Sequence, residues 1–165
     1  MSLSVRLATP KDLGFVLSLA QNGARHGHFD QIVREKKGIF REYLNKVISC
    51  GCDLRGYPAH IYVAFEHGER VATATVTTAI GTPDVGVELE MIAVRKDCQS
   101  RGYGTMLLDT LIALYAPRGS VYLRCLPASR KIRQMLLRRH FNEVGAIGEA
   151  TIFRRESFSA SLRVA

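Results

Sequence analysis

The segment Gln99–Gly104, with the sequence Gln-Ser-Arg-Gly-Tyr-Gly, stands directly before an apolar stretch with helical spacing. At the N-terminus of a helix the backbone amides have no intrahelical acceptor, and the helix dipole adds partial positive charge. Gly102 and Gly104 lack a Cβ, so an anion can approach these amides closely. Arg101 can add a charged donor and Thr105 a hydroxyl. The pattern therefore predicts a phosphate-binding loop.

The spacing of the glycines excludes two well-known phosphate loops. The pattern Gly-x-x-x-x-Gly-Lys-Ser/Thr does not occur, and Gly104 is followed by Thr-Met-Leu, so the third glycine of a dinucleotide fingerprint is missing. No metal site is predicted either, because the close pairs Cys50 and Cys52, and His26 and His28, each lack a second pair to complete a ligand set. A phosphorylated cofactor of another kind is expected.

With the strand before it and the helix after it, this segment resembles the Gln/Arg-x-x-Gly-x-Gly/Ala signature of the GNAT superfamily of acyl-CoA-dependent N-acyltransferases. Leu89–Val94 resembles the central strand of that family, and Thr105–Leu108 the start of its conserved helix. The resemblance implies acetyl-CoA as the acyl donor. It implies three groups of cofactor-binding residues: Ile92, Ala93 and Val94, whose main chain holds the pantetheine arm; Gln99, Ser100, Arg101, Gly102, Tyr103, Gly104 and Thr105, whose amides hold the pyrophosphate; and Ser129, at the position of a family asparagine.

Acyl transfer from a thioester to an amine needs a base for the amine, a donor for the oxyanion and a proton for the thiolate. Glu88 and Glu90 are the candidate bases, and the resemblance implies that Glu88 stands at the position used by some family members. Strand alternation predicts that both glutamates share a face with Ile92 and Val94. The alternative is that either glutamate forms a structural ion pair with an arginine. The resemblance assigns the oxyanion to the Val94 amide.

The proton donor is the point at which the sequence departs from the family. Many members have a tyrosine five residues before the phenylalanine of a Gly-Phe pair; here the pair is His140-Phe141 and the tyrosine position is Leu136. Leucine cannot donate a proton. Three alternatives remain open: a water molecule, departure without assistance, or another acid such as Tyr115, Tyr122 or Cys98.

These observations support three hypotheses of function. The first is an N-acetyltransferase that acetylates a primary amine of a small molecule or polypeptide by direct attack in a ternary complex. The second is an acyl-CoA-binding sensor without turnover, which Leu136 would suit. The third, weaker one is an acyltransferase directed at an aminoacyl-tRNA, because residues 95–165 carry 13 Lys+Arg against 5 Asp+Glu, whereas residues 1–94 carry 10 of each. A nucleic acid or a phosphorylated cofactor could meet this basic half.

The acceptor itself stays unknown. By resemblance its specificity would come from the Asn22–Phe29 loop, the second helix and the Gly145–Glu149 connection, with His26, His28 and Phe29 as candidates for the pocket wall. A homodimer is one candidate assembly, because sheet edges in such folds often pair.

The elements expected to position these residues form one domain over residues 1–165, with a tail at about 156–165. The predicted class is α/β (α+β): a single mixed, mostly antiparallel central sheet of roughly six or seven strands, flanked by about four helices and, by resemblance, splayed between the fourth and fifth strands. The predicted strands are Val5–Ala8, Ile61–Phe65, Val71–Ile80, Val87–Val94, Val121–Leu126, Val144–Ile147 and Thr151–Arg155. Helices are predicted from the Thr9 cap to about Gln21, from Asp30 to about Val47, after Gly104, and from Arg130 to about His140.

Localisation is predicted from composition and from the N-terminus. The first ten residues contain no apolar stretch long enough for a signal peptide, and the longest apolar helical segment, Met106–Ala116, is too short to cross a bilayer. The four cysteines show no disulfide spacing. A cytoplasmic protein without membrane contact is expected.

Overall fold

The computed structural model describes residues 3–157. One sheet of seven strands carries helices on its faces, and all strands predicted from the sequence are present. The strands are β1 (Ser4–Leu7), β2 (Ala59–Glu66), β3 (Glu69–Thr78), β4 (Gly86–Val94), β5 (Ser120–Cys125), β6 (Asn142–Ile147) and β7 (Ala150–Arg155). The helices are α1 (Leu13–Arg25), α2 (Ile32–Glu35), α3 (Lys37–Cys50), α4 (Tyr103–Tyr115) and α5 (Arg130–Leu137).

The sheet has the strand order β1-β2-β3-β4-β5-β7-β6. Every neighbouring pair is antiparallel except β4 and β5, which are parallel. Their pairing runs only from Gly86 opposite Ser120 to Leu89 opposite Leu123. Beyond Leu89 the two strands separate, which confirms the expected mixed sheet and its splay between the fourth and fifth strands.

A β-bulge in β4 lies where the separation begins. Leu89 pairs with Val76 and Met91 pairs with Thr75, so Glu90 is an extra residue without a partner on β3. A bulge interrupts the alternation of faces. As a result Leu89, on one side of the bulge, packs in the same apolar cluster as Ile92 and Val94, on the other side.

The bulge corrects one prediction about β4. Regular alternation predicted that Glu88 shares a face with Ile92 and Val94, which is wrong, since the neighbour of Glu88, Leu89, lies on that face instead. Met91 packs in the second cluster, with α1 and α3. The alternation of apolar residues in the sequence does not reveal an inserted residue, so the change of face at Glu90 could not be predicted.

The two apolar clusters lie on the two faces of the sheet and fix the helices. One contains Leu107, Leu108, Leu111 and Ile112 of α4, which have the helical spacing noted in the sequence, against β3, β4 and β5. The other packs α1 and α3 against β2 and β4. Each cluster therefore anchors the helices on one face of the sheet.

Two helices differ from their predicted bounds. The predicted second helix is divided at Lys36, where φ is −113° and ψ is 52°, into α2 and α3. Helix α5 ends at Leu137 rather than near His140, and the Phe141 amide closes the end by donating to the Leu136 carbonyl (3.2 Å). His140 has a φ of 61°, in the left-handed region that glycine usually fills at this position.

Two further features bear on partners. Within residues 3–157 no helix has the length and apolar character needed to span a membrane. In the same range no three His, Cys, Asp or Glu side chains are grouped so that they could hold a metal ion. Of the predicted tail, residues 158–165 lie outside the described residues.

Candidate active site

A cavity of about 560 Å³ opens where β4 separates from β5. Its wall contains residues of β4, the loop that follows, the start of α4, the end of β5 and the start of α5. The residues predicted to hold the cofactor that line it are Ile92, Ala93, Val94, Gln99, Ser100, Gly102, Tyr103, Gly104, Thr105 and Ser129. Arg101 is exposed and is not among the lining residues.

Some main-chain amides and carbonyls of β4 point into this cavity. The Arg95 amide donates to the Val71 carbonyl (2.9 Å), so the pair of Val94 with Ala72 is of the type that exchanges no hydrogen bonds. By the same alternation, the amide and carbonyl of Ile92 and Val94 point away from β3, while those of Ala93 point toward it. Consistent with an open Val94 carbonyl, the Gln99 side chain donates to it (3.3 Å).

The loop after β4 presents its amides to the same cavity. The first α4 amide with a helical acceptor is that of Met106, which donates to the Gly102 carbonyl (2.9 Å), so the amides from Ser100 to Thr105 stay available. The Gln99 amide, which was also predicted to hold the pyrophosphate, instead donates to the Lys96 carbonyl (3.4 Å). Gly102 adopts a left-handed conformation with a φ of 85°, and Ser100 one with a φ of 62°. At Gly104 a Cβ would lie 3.2 Å from a Val94 methyl, so a larger residue would press on the β4 wall.

These groups fit the pyrophosphate and pantetheine of coenzyme A. Helix N-terminal amides suit phosphate oxygens, and unpaired strand groups suit the two amides of pantetheine, which can bind as an extra strand does. Arg130 and Lys131, at the start of α5, also line the cavity and add positive charge. When bound, acetyl-CoA would supply an acetyl group activated as a thioester.

A second cavity, of about 460 Å³, adjoins the first. Residues from four separated segments line it: Tyr43 of α3, the loop residues Asp53, Leu54 and Arg55, the end of β3 with Thr77, Thr78 and Ile80, and Glu88, Glu90 and Arg124 of β4 and β5. Glu90 and Arg124 line both cavities. These two side chains therefore form a shared border of the two spaces, at the bulge of β4 and near the end of β5.

The two glutamates have different environments in this second cavity. Glu88 is buried and forms a two-point ion pair with Arg124, with distances of 2.6 Å from Nε to Oε1 and 2.7 Å from Nη2 to Oε2. Glu90 accepts a hydrogen bond from the Tyr43 hydroxyl (2.6 Å). Although Glu90 is exposed, partial desolvation by the surrounding groups raises its pKa, the negative charge of Glu88 adds to the rise, and the Tyr43 hydrogen bond opposes it. A base with a raised pKa is better matched to an amine at neutral pH than an ion-paired carboxylate.

The residues considered as proton donors lie in several places. The Tyr115 hydroxyl is hydrogen-bonded to that of Tyr62 (2.7 Å), and the Tyr122 hydroxyl donates to Asp84. Neither tyrosine lines either cavity. Leu136 is fully buried in the core, and Cys98 lines the first cavity next to the amide loop.

Several residues that line the cavities were assigned either no role or a different role from the sequence. His28 and Phe29 line the first cavity, although the resemblance had suggested the acceptor pocket for their loop. Tyr43 and Arg124 sit on elements whose periodicity shows only a helix and a strand. The Gly145–Glu149 connection lines neither cavity. Only tertiary packing brings these residues to the site.

The basic side chains that suggested nucleic acid are largely occupied. Arg139 pairs with Asp109 (2.5 Å), Arg154 with Asp84 (2.8 Å) and Arg133 with Glu143 (3.8 Å). Arg155 donates to the Arg139 carbonyl (2.8 Å). The charge count already includes Asp109 and Glu143, so only the pair with Asp84 lowers the positive excess of residues 95–165. Arg130 and Lys131 line the first cavity, so part of that excess borders the space suited to a phosphorylated cofactor.

Known structures share this fold along nearly the whole chain. The PaiA N-acetyltransferase of Thermoplasma acidophilum, solved in complex with coenzyme A, has 13% identity and a TM-score of 0.70, covering 94% of this chain and 99% of its own. A GNAT-family acetyltransferase of Streptococcus agalactiae has 18% identity and a TM-score of 0.70, covering 93% and 95%. The ribosomal-protein-S18-alanine N-acetyltransferase of Escherichia coli has 16% identity and a TM-score of 0.69, covering 99% of both chains.

At such low identities these structures show only that the fold is shared. The family assignment rests on a comparison of the sequence. No curated protein sequence matches the chain significantly. The profile of the acetyltransferase (GNAT) family matches residues 25–141, a range that includes β4, the amide loop and the start of α5. With the splayed sheet and the loop of free amides at the start of α4, this match shows that the chain belongs to the GNAT acetyltransferase family.

Proposed function

We propose that the protein is an N-acetyltransferase that transfers the acetyl group of acetyl-CoA to a primary amine of a small molecule or polypeptide. The observation that carries the proposal is the junction of two cavities at Glu90 and Arg124. One cavity offers the amides and strand groups suited to coenzyme A, and the other offers carboxylates suited to an amine. Such a junction lets both substrates bind together, as direct attack requires.

In this proposal Glu90 removes a proton from the acceptor ammonium, directly or through a water molecule. The neutral nitrogen then forms a bond to the carbonyl carbon, and the oxyanion accepts a hydrogen bond from the Val94 amide. The nitrogen loses its second proton to water, the C–S bond breaks, and the thiolate leaves and takes up a proton. Glu88, held by Arg124, lies beside Glu90 and is the second candidate for the base.

The four cysteines within residues 3–157 are free thiols. Free thiols agree with a reducing compartment, and we therefore infer that the protein works in the cytoplasm. A homodimer formed through a sheet edge stays a prediction.

Calorimetry with acetyl-CoA, followed by mass spectrometry of a panel of amino acids, polyamines and peptides, tests the proposal. We expect binding of acetyl-CoA and a mass increase of one acetyl group in at least one amine class. Binding without any product would favour the acyl-CoA sensor, for which the buried Leu136 is the structural argument. Acetylation restricted to an aminoacyl-tRNA, with affinity that falls steeply with salt, would favour the third hypothesis.

A further inference from the structure

The departing thiolate has no proton donor at Leu136, yet the first cavity contains a pair of side chains that could serve. His28 Nδ1 lies 3.2 Å from Ser129 Oγ, although the two residues are 101 positions apart in the chain. Both residues line the cavity. The Ser129 side chain is also turned away from the role its position usually implies. It precedes the first residue of α5, where a serine normally caps a free amide, but it makes no such hydrogen bond.

The loop that carries His28 is held in place by close packing. The His28 amide donates to the Gly23 carbonyl (2.9 Å). The ring of Phe29 covers Gly23 so closely that a Cβ there would lie 2.3 Å from a ring carbon. Gly27 approaches Ala128 on the other segment, since a Cβ on Gly27 would lie 3.5 Å from the Ala128 methyl group. The His28–Ser129 contact therefore joins two segments that are fixed against each other.

We infer that Ser129 donates the proton to the departing thiolate and that His28 replaces it, in place of the tyrosine that position 136 lacks. This inference rests on the proposed acetyl transfer. As the C–S bond breaks, the Ser129 Oγ–H bond breaks and a new S–H bond forms. Ser129 Oγ takes the Nδ1 proton of His28, and His28 Nε2 takes a proton from water. The acceptor ammonium loses one proton to Glu90 before the attack and a second from the nitrogen after the C–N bond forms, and both return to water. One of them replaces the proton that His28 takes and the other is released, while exchange with water returns the His28 proton from Nε2 to Nδ1, so the protons balance.

The partner makes the serine competent as an acid. A serine hydroxyl alone is a weaker acid than a thiol, whose pKa is about 8.5, so it gives up a proton only when a neighbour returns one at the same time. Cys125 also lines the cavity, but burial raises the pKa of its thiol to about 12, and no partner among residues 3–157 is placed to return its proton. In this relay Nδ1 of His28 carries the proton and donates to Ser129, which fixes the tautomer of the free protein.

Kinetic variants separate proton donation from cofactor binding. We expect Ser129→Ala and His28→Gln each to lower kcat by about 100-fold with little change in the KM for acetyl-CoA. The double variant should be no slower than either single one, because the two residues act as a unit. Ser129→Thr should restore most of the rate, since it keeps the hydroxyl. The control is His67→Asn, in the turn between β2 and β3, because His67 lines neither cavity and asparagine tolerates its φ of 49°.

A rise in KM without a fall in kcat would overturn the inference and leave Ser129 as a cofactor ligand only. Additive losses in the double variant would also overturn it. If both single variants turn over at the wild-type rate, the relay is wrong and the proposed function still holds. If the wild-type protein itself shows no turnover, the proposed function is wrong.

A spectroscopic test needs no turnover. Nitrogen-15 spectra of histidine-labelled free protein report which ring nitrogen of His28 carries the proton. We expect a protonated Nδ1 whose resonance moves in Ser129→Ala and stays in His67→Asn. An unprotonated Nδ1 would mean that the serine donates to the imidazole, directing its proton away from the cavity, and would overturn the relay.

Discussion

The two cavities that share Glu90 differ in the groups that line them: mainly main-chain groups in one and side chains in the other. The first, which we propose for coenzyme A and call the coenzyme cavity, depends on main-chain groups of β4 and of the loop before α4, which follow one another along the chain. The second, which we propose for the amine and call the acceptor cavity, depends on side chains of α3, the Asp53–Arg55 loop, β3, β4 and β5. In the proposed function, main-chain groups would bind the coenzyme, the substrate that members of the family share. Side chains from scattered segments can change one by one, which suits the part of the reaction that differs between relatives.

The largest expected effect is at the junction. If Glu90 serves both cavities as the base, Glu90→Gln should lower kcat by about 100-fold or more without weakening acetyl-CoA binding. The rate should rise with pH through the raised pKa of Glu90, because only the carboxylate accepts a proton. Tyr43→Phe removes the hydrogen bond that lowers this pKa and should move the acidic limb to higher pH. A pH–rate profile of each variant, with calorimetry of acetyl-CoA, measures these effects.

Glu88→Gln is the matched variant for that prediction. It should keep the acidic limb but move it to lower pH, because the negative charge of Glu88 is one of the causes that raise the pKa of Glu90. If instead Glu88→Gln removes the limb and Glu90→Gln keeps it, then Glu88 is the base, and the ion pair with Arg124 must open during the reaction.

The next effect belongs to the coenzyme cavity alone. Gly104→Val should weaken acetyl-CoA binding by roughly 10- to 100-fold, because the added carbons press on Val94 and displace the amides that hold phosphate. Calorimetry checks the affinity. Gly14→Val in α1 is the control, since a Cβ there meets no atom within 4 Å. An equal loss in both variants would point to general destabilisation rather than to the loop.

A smaller effect is expected in the acceptor cavity. Arg124→Lys keeps the charge but loses the two-point contact with Glu88, so we expect a rise of about 10-fold in the KM of the amine. Acetyl-CoA affinity should change much less, although Arg124 also borders that cavity. Steady-state kinetics with each substrate varied in turn distinguishes the two. A larger change for acetyl-CoA than for the amine would contradict the division between the cavities.

The smallest effect tests a position outside both cavities. His140→Gly should raise the free energy of unfolding by about 0.5–1 kcal/mol, because glycine accepts the left-handed φ of 61° without strain. Denaturant unfolding measures the change, and neither KM should move. Destabilisation, or a shift in either KM, would show that His140 has a role beyond ending α5.

The same contrast explains which parts of the molecule were predictable. Local patterns predict the order of the elements, the apolar face of α4 and the amide loop. The alternation of strands, the helical spacing of apolar residues and the two glycines of the loop can each be recognised within a short segment of sequence. The Tyr43–Glu90 and His28–Ser129 contacts join residues 47 and 101 positions apart, and nothing in either local pattern indicates the partner. The break at Lys36 and the bulge at Glu90 could not be predicted, because a lysine in a helix and a glutamate in a strand are both compatible with regular backbone geometry.

The inserted residue in β4 has a consequence for how the sequence tolerates change. Leu89 and Met91 already pair with Val76 and Thr75, which are consecutive residues of β3, so the ladder would be regular if Glu90 were missing. A one-codon deletion of Glu90 would therefore leave Leu89, Met91 and Ile92 on their present faces, and would remove the carboxylate together with the local bend. Read in the other direction, one inserted codon is enough to add a carboxylate to an ordinary strand without moving any core side chain to the opposite face.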